Sequence, residues 1–199
     1  MQFPVRVKTN TDLIFEFDKV PNWMQLSALD QMHRFGFEYG HHGANHQDGN
    51  PYFGKLLFLK QENYETAKPH FVNNLVDILR YDVLSEVDKE GNFIELSRIA
   101  VNGQVKGQQA AKHIDSSNDS NLWTAVYYVN DSDGDTVFYR SLKNIDKEVY
   151  RCKYKRGKIL LFHGQFVHQA MAPTTDWRVT VGISFLWNTK LNQKVEIDI

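Results

Sequence analysis

The second half of this chain is broken into short extended segments at short intervals, and no other feature constrains the fold as much. Segments 93–101, 122–130, 136–140, 147–154, 158–163, 166–171 and 178–187 are rich in β-branched and aromatic residues, which fit a pleated, half-buried surface. Turn clusters separate them: Ser116-Ser117-Asn118-Asp119, Asp131-Ser132-Asp133-Gly134, Arg156-Gly157 and Pro173-Thr174-Thr175-Asp176. Such residues free, fix or hydrogen-bond the backbone where a strand must stop. Many short strands with turns between them predict a mainly β architecture, a barrel or jelly roll.

The first ninety residues read differently. Residues 1–20 alternate loosely (Phe3, Val5, Val7, then Leu13, Phe15, Phe17) and predict one or two strands. Residues 22–35 predict a helix, with Pro21 at its start and Leu26, Leu29, Met32 and His33 at helical spacing. A second helix is expected over 66–80, with Pro69 in its first turn and Val72, Leu75, Val76 and Leu79 on one stripe. Between the helices, residues 36–54 have no period and read as one long loop, followed by the apolar run Leu56 to Leu59. Loops of that length in compact domains are functional or disordered, and Tyr39, Tyr52 and Phe53 would give this one stacking surfaces over a site. Asp88 to Asn92 reads as a turn. The expected organisation is one domain: an elaboration over 1–90, a core over 91–190 and a tail over 191–199.

Charge and cysteine content exclude several classes. Lys and Arg total 23 against 24 Asp and Glu, a formal net charge of -1, so no electrostatic footprint for nucleic acid or an anionic membrane is expected. Cys152 is the single cysteine, which rules out an intrachain disulfide framework and fits a reducing compartment. The charged N-terminal stretch and the lack of long apolar runs predict a soluble, cytoplasmic protein. Oligomeric state is not readable from these features.

One constellation carries chemistry. In His113-Ile114-Asp115, residues i and i+2 of extended chain project to one side, so an imidazole and a carboxylate stand together. His163 and His168 both follow the apolar run Ile159 to Phe162. If that strand neighbours the first, a histidine from it completes a set of two His and one carboxylate. This facial triad leaves three positions open on Fe(II). In 178–187 the odd positions (Val179, Val181, Ile183, Phe185, Trp187) are apolar and the even ones (Arg178, Thr180, Gly182, Ser184) small or polar. The odd face would pack on another layer, for which the N-terminal helices are the candidates, and the even face would line the barrel. A buried Arg is costly unless an anion meets it, and its planar fork matches a carboxylate. Thr180 can add a hydroxyl to the same anion.

These residues resemble a known family. Asn102-Gly103-Gln104 through His113-Ile114-Asp115, Ala125 to Asn130, Gly134-Asp135-Thr136-Val137-Phe138, Gly157 to Phe162, His168, Pro173 and Arg178-Val179-Thr180 are similar, in order and spacing, to prolyl-4-hydroxylase-type 2-oxoglutarate and Fe(II) dioxygenases. The resemblance covers roughly 92–188. It implies a double-stranded β-helix, a jelly roll, with the N-terminal helices packed on its major sheet. It favours His168 over His163 as third ligand, His163 being left as a supporting or surface group. It implies that Fe(II) is held by His113, Asp115 and His168, and that 2-oxoglutarate reaches from the iron to Arg178 and Thr180. Tyr128, donating its hydroxyl, and Thr136 would line the same pocket. The implied cosubstrate is O2, with ascorbate as auxiliary reductant, and the implied activity is hydroxylation of a prolyl or other residue of a protein or peptide, or of a small molecule. The chain departs from the family pattern at Asp133, where a Gly is common, and at Asn102 and Gln104, where many members carry a Tyr.

Other groups read as bland. His41, His42, His46 and Asp48 have ligand chemistry, but adjacent His in a Gly-rich loop read as solvated. Lys153, Lys155, Arg156 and Lys158 read as a solvated face, and the alternating Tyr150, Cys152 and Tyr154 as core, with Cys152 inert. Two rival readings are a cupin-like metalloenzyme that does not use 2-oxoglutarate and a non-enzymatic jelly-roll binding module.

Overall fold

A computed structural model describes residues 7–41, 51–89, 94–116 and 119–197. Phe3, Val5, His42, His46, Asp48 and most of the 88–92 turn lie outside these residues. The elements in chain order are β1 (Val7–Lys8), β2 (Ile14–Phe17), α1 (Asn22–His33), β3 (Glu38–His41), β4 (Tyr52–Leu59), β5 (Tyr64–Glu65) and α2 (His70–Ile78). The strands of the second half follow: β6 (Ile94–Gln104), β7 (Leu122–Tyr128), β8 (Thr136–Tyr139), β9 (Glu148–Cys152), β10 (Ile159–His163), β11 (His168–Ala170), β12 (Arg178–Trp187) and β13 (Glu196–Ile197). Each of the seven segments expected in the second half is therefore a strand, displaced by a few residues at its ends.

The strands form a jelly roll. The large antiparallel sheet runs β2-β10-β7-β12-β6-β4-β3, with β5 on β4; a smaller sheet runs β11-β8-β9, and β1 pairs with β13. Phe138 of β8 meets Phe162 of β10 edge to face across the gap, centroids 4.9 Å apart. The outer face of the large sheet carries the main core. Val179, Val181, Ile183, Phe185 and Trp187 of β12 are buried there, in one cluster with Met24, Ala28 and Met32 of α1 and Phe71, Val72, Leu75 and Val76 of α2. Burying each such side chain is worth about 1.5–3 kcal/mol, which is why the helices cover this face and leave the polar one enclosed between sheets.

Several expectations change in detail. The buried stripe of α1 is Met24, Ala28 and Met32, whereas Leu26 is 53% exposed. Two apolar stripes competed along this helix, and the i, i+4 series won because it faces α2 and the sheet. The second helix begins later than expected, at His70. It continues past Ile78 through a π-helical turn (Leu79–Leu84) and a last turn (Ser85–Val87) that bury Leu79, Val83 and Leu84. The expected loop 36–54 is strand at both ends, since β3 and β4 pair antiparallel through Tyr39 and Phe53; its centre, 42–50, is outside the described residues. Lys158 is not on a solvated face. It is buried, its ammonium pairs with Glu16 of β2, and it donates to the Lys153 carbonyl at 2.8 Å. The pairing of β2 with β10 brings that carboxylate from 142 residues away. Cys152 is buried, and burial pushes its thiol up to about 12, so it is no nucleophile. Among the described residues no helix is long and apolar enough to cross a membrane.

Candidate active site

His113 and His168 are tied back to back through the backbone. Each N–H donates to the other's carbonyl, at 3.0 and 2.9 Å, forming an antiparallel bridge that adds the His113 segment to the edge of the smaller sheet. Asp115 N–H then donates to Gly164 O at 2.8 Å, so the chain stays extended for the two residues that bring imidazole and carboxylate to one side. His113 Nε2 and His168 Nε2 lie 3.6 and 3.8 Å from Asp115 Oδ1, and the three donor atoms fall within 4.8 Å of one another. Each imidazole sets Nδ1 2.9 Å from a carbonyl oxygen, Ala111 O for His113 and Phe166 O for His168. A carbonyl only accepts, so Nδ1 carries the proton and Nε2 keeps its lone pair for a metal.

The electrostatics agree. Burial, and next to it the field of His113, holds His168 down at about 4 against the pull of Asp115, which leaves it neutral near pH 7. Burial works against the Asp115 carboxylate, but His168, His113, the Thr124 hydroxyl and Arg98 outweigh it and keep the group below its ordinary value. Asp115 exposes its backbone, but its side chain turns inward and is 21% exposed. Thr124 Oγ1 donates to Asp115 Oδ2, leaving Oδ1 facing the imidazoles. Two aimed imidazoles and a held carboxylate are a donor set that could hold a metal ion, of the kind found in non-haem Fe(II) sites.

His163 is excluded by strand parity. On β10, Ile159, Leu161 and His163 stand opposite Tyr127, Ala125 and Trp123, on the helix-covered face. His163 stacks edge-on with Trp123, centroids 5.5 Å apart, and its Nε2 is 2.8 Å from Ser120 O. It is fully buried, not a surface group. Phe162, one residue earlier, faces inward and packs on His168 at 4.7 Å.

Arg178 lies 3% exposed on the inward face of β12. Its Nε donates to Gly134 O (2.8 Å), Nη1 to Gln104 Oε1 (3.1 Å) and Nη2 to Thr136 Oγ1 (2.9 Å). Among the described residues none is a carboxylate paired with it. The guanidinium is thus positioned by neutral acceptors and keeps its full charge for a ligand. Gly134 is required for this approach, since a Cβ there would sit 2.7 Å from both Arg178 Cδ and Met171 O. Asp133, the departure from the family pattern, caps the neighbouring turn by accepting from Thr174 N at 2.9 Å. Thr136 Oγ1 accepts from Arg178 and also from Tyr128 Oη at 2.7 Å. With both lone pairs used, its own O–H remains to donate. Tyr128 therefore does not line the pocket as expected. Its fully buried ring stacks on Tyr154, centroids 4.3 Å apart, and acts on the pocket through Thr136.

The triad and Arg178 open into one cavity of about 350 Å3, together with Thr136 and Thr180. The same cavity is lined by Tyr52, Arg98, Asn102, Gln104, Thr124 and Ser184. Ser184 was expected on the barrel-lining face of its strand, whereas Arg98 and Thr124 were not singled out from the sequence. Parity was the usable signal: Thr124 and Val126 share the side of Tyr128 along β7, and Arg98 shares that of Asn102 and Gln104 along β6.

No protein-family model and no curated protein matches the sequence. Solved structures do match. A 2OG-Fe(II) oxygenase family oxidoreductase from Burkholderia pseudomallei superposes with TM-score 0.65 at 13% identity, over 88% of this chain and 85% of that one. The α-ketoglutarate-dependent non-haem epimerase SnoN of nogalamycin biosynthesis gives 0.63 at 12% identity, over 87% and 76%. A prolyl hydroxylase from Trichoplax adhaerens, in complex with a peptide fragment of hypoxia inducible factor, gives 0.60 at 15% identity, over 93% and 87%. The chain has the double-stranded β-helix fold of the 2-oxoglutarate and Fe(II)-dependent oxygenases.

Proposed function

We propose that this protein is a 2-oxoglutarate- and Fe(II)-dependent oxygenase that hydroxylates its substrate. The observation that carries the reading is a buried Arg178 with no carboxylate partner among the described residues, opening into the same cavity as two Nε2 atoms and one carboxylate oxygen. A buried cation left unpaired by the protein is costly, and a dicarboxylic acid that also chelates a metal removes that cost. His113, Asp115 and His168 would hold Fe(II). Arg178, with the Thr136 and Thr180 hydroxyls, would hold the far carboxylate of 2-oxoglutarate. Iron and 2-oxoglutarate, when bound, would supply with O2 the hydroxylation of a C–H bond, one oxygen atom going to the product and one to succinate, with release of CO2.

The protein's own part is positional. The Nδ1 bonds to Ala111 and Phe166 aim both imidazoles. Thr124 holds Asp115 by one oxygen. Gln104, Gly134 and Thr136 orient the guanidinium before any ligand arrives, so little order remains to be imposed on binding. Phe138 and Phe162 keep the wall behind His168 dry. A cupin-like metalloenzyme without 2-oxoglutarate has no use for Arg178, and a non-enzymatic module has no use for the aimed imidazoles. The resemblance points to a prolyl or other peptidyl residue as substrate, while the structural neighbours include both a peptide-bound hydroxylase and an epimerase of nogalamycin biosynthesis.

The test is turnover of 2-oxoglutarate by purified protein with Fe(II), O2 and ascorbate, read as succinate. Slow succinate formation without substrate, dependent on iron, is expected. Binding of 2-oxoglutarate to metal-loaded protein with no succinate under any condition would favour a binding module. Metal binding with no 2-oxoglutarate affinity would favour the cupin-like alternative.

A further inference from the structure

The active-site cavity holds a second cation that the cosubstrate does not need. Arg98 lies on the inward face of β6 with Asn102 and Gln104, and all three line the cavity. In the pairing of β6 with β12, Gln104 stands opposite Arg178 and Arg98 opposite Ser184. The two Arg positions are therefore six residues apart along paired strands, roughly 20 Å of backbone. The carboxylate of the triad belongs to the Arg98 end. Asp115 is bonded to Thr124, Thr124 is paired with Ser184 across β7 and β12, and their hydroxyls are 3.4 Å apart. A molecule of 2-oxoglutarate reaching from Arg178 to the metal ligands would leave Arg98 on the far side of them.

Arg98 is half-buried; its charge acts on Asp115, but among the described residues it makes no ion pair within 4 Å and no side-chain hydrogen bond. The contrast with Lys158 is instructive, because that buried cation is neutralised by Glu16. The Arg98 guanidinium is left for a ligand in the cavity. The cavity, about 350 Å3 in all, would also have to take the cosubstrate.

We propose that Arg98 anchors a carboxylate on the primary substrate, holding the carbon to be oxidised beside the triad. Arg98 would then be a specificity-determining residue, and the substrate an acid: a free carboxylic acid or an acidic side chain of a peptide. This rests on the oxygenase reading above.

The experiment measures stimulation of succinate formation, relative to each protein's own basal rate, by three sets of compounds. They are free dicarboxylic and N-acylated amino acids, short peptides with internal Asp or Glu, and the matching amides and neutral peptides. The same compounds are tested for thermal stabilisation of the Ni(II)- and 2-oxoglutarate-loaded protein, which requires no turnover. Acids, and not their amides, should stimulate and stabilise, and the arm that responds identifies free acid or peptide as the source. In Arg98→Gln the acid-dependent stimulation should fall at least tenfold, and Arg98→Lys should restore part of it, which also guards against a folding defect. The affinity for 2-oxoglutarate should stay within about twofold of wild type in both variants. Neutral compounds acting as well as acids, no acid acting in either readout, or a loss of 2-oxoglutarate affinity in Arg98→Gln would each overturn the proposal. Acid-dependent stabilisation lost in Arg98→Gln, with no succinate from wild type, would keep the anion site and remove the oxygenase reading.

Discussion

The two faces of β12 are made by alternate residues of one strand and are held by different physics. Outward, Val179, Val181, Ile183, Phe185 and Trp187 lie in the apolar core beneath α1 and α2. That face needs volume and apolarity, which many sequences can supply. Inward, Arg178, Thr180, Gly182 and Ser184 line a cavity whose Arg178 is fixed by three directional hydrogen bonds. That face adds little burial energy and sets geometry. The comparison teaches that stability and chemistry are separable here at single-residue spacing, so a substitution should damage one and largely spare the other.

The largest expected effect comes from the ligand set. His113→Ala, Asp115→Ala and His168→Ala should each abolish iron-dependent succinate formation and metal retention while circular dichroism stays native. Activity persisting in His168→Ala but lost in His163→Ala would mean that strand parity on β10 had been misassigned. On the opposite face, Phe185→Ala should destabilise by about 3–5 kcal/mol in urea unfolding, with any folded fraction still binding 2-oxoglutarate. A mild loss of stability there would break the contrast.

A smaller effect is expected at the far end of the cavity. Arg178→Lys keeps the charge but loses the fork, and charge-assisted hydrogen bonds are worth about 1.5–3 kcal/mol. The dissociation constant for 2-oxoglutarate should rise roughly ten- to a hundredfold, with little change in unfolding midpoint. An unchanged constant removes Arg178 from the cosubstrate site.

The smallest effect is in the pH dependence of the metal-free protein. Unfolded His168 takes a proton near its ordinary 6.5, whereas in the fold it does so only near 4. Between those values the unfolded chain binds more protons, so stability is full above about 6.5 and declines as the pH falls toward 4. Asp115, also held below its ordinary value, acts in the same direction chiefly at more acid pH, below that window. His168→Gln should flatten the decline in unfolding midpoint, and a slope unaltered by that substitution would assign it to other groups.

The seven strands after residue 93 were legible because period and turn chemistry are local properties. So was the inward face of β12, since alternation along one strand needs no knowledge of its neighbours. The choice of His168 needed the family resemblance; parity on β10 would have served, but all five residues of that strand are buried and the sequence pattern has no polar side to read. Along α1, Leu26 looked as good a core residue as Met24 until the position of α2 decided between them.

What the sequence determined by itself was a mainly β barrel or jelly-roll class, the HxD pair with a downstream His, and an Arg that burial would leave in need of an anion. Tertiary structure alone decided which groups share the cavity. Arg98 reaches it from β6, Thr124 from β7 and Arg178 from β12, while Glu16 of β2 instead neutralises Lys158. These partners are set by non-local strand pairing and register, a global minimum over the whole core, and a one-residue slip in any strand would have turned a different set of side chains inward.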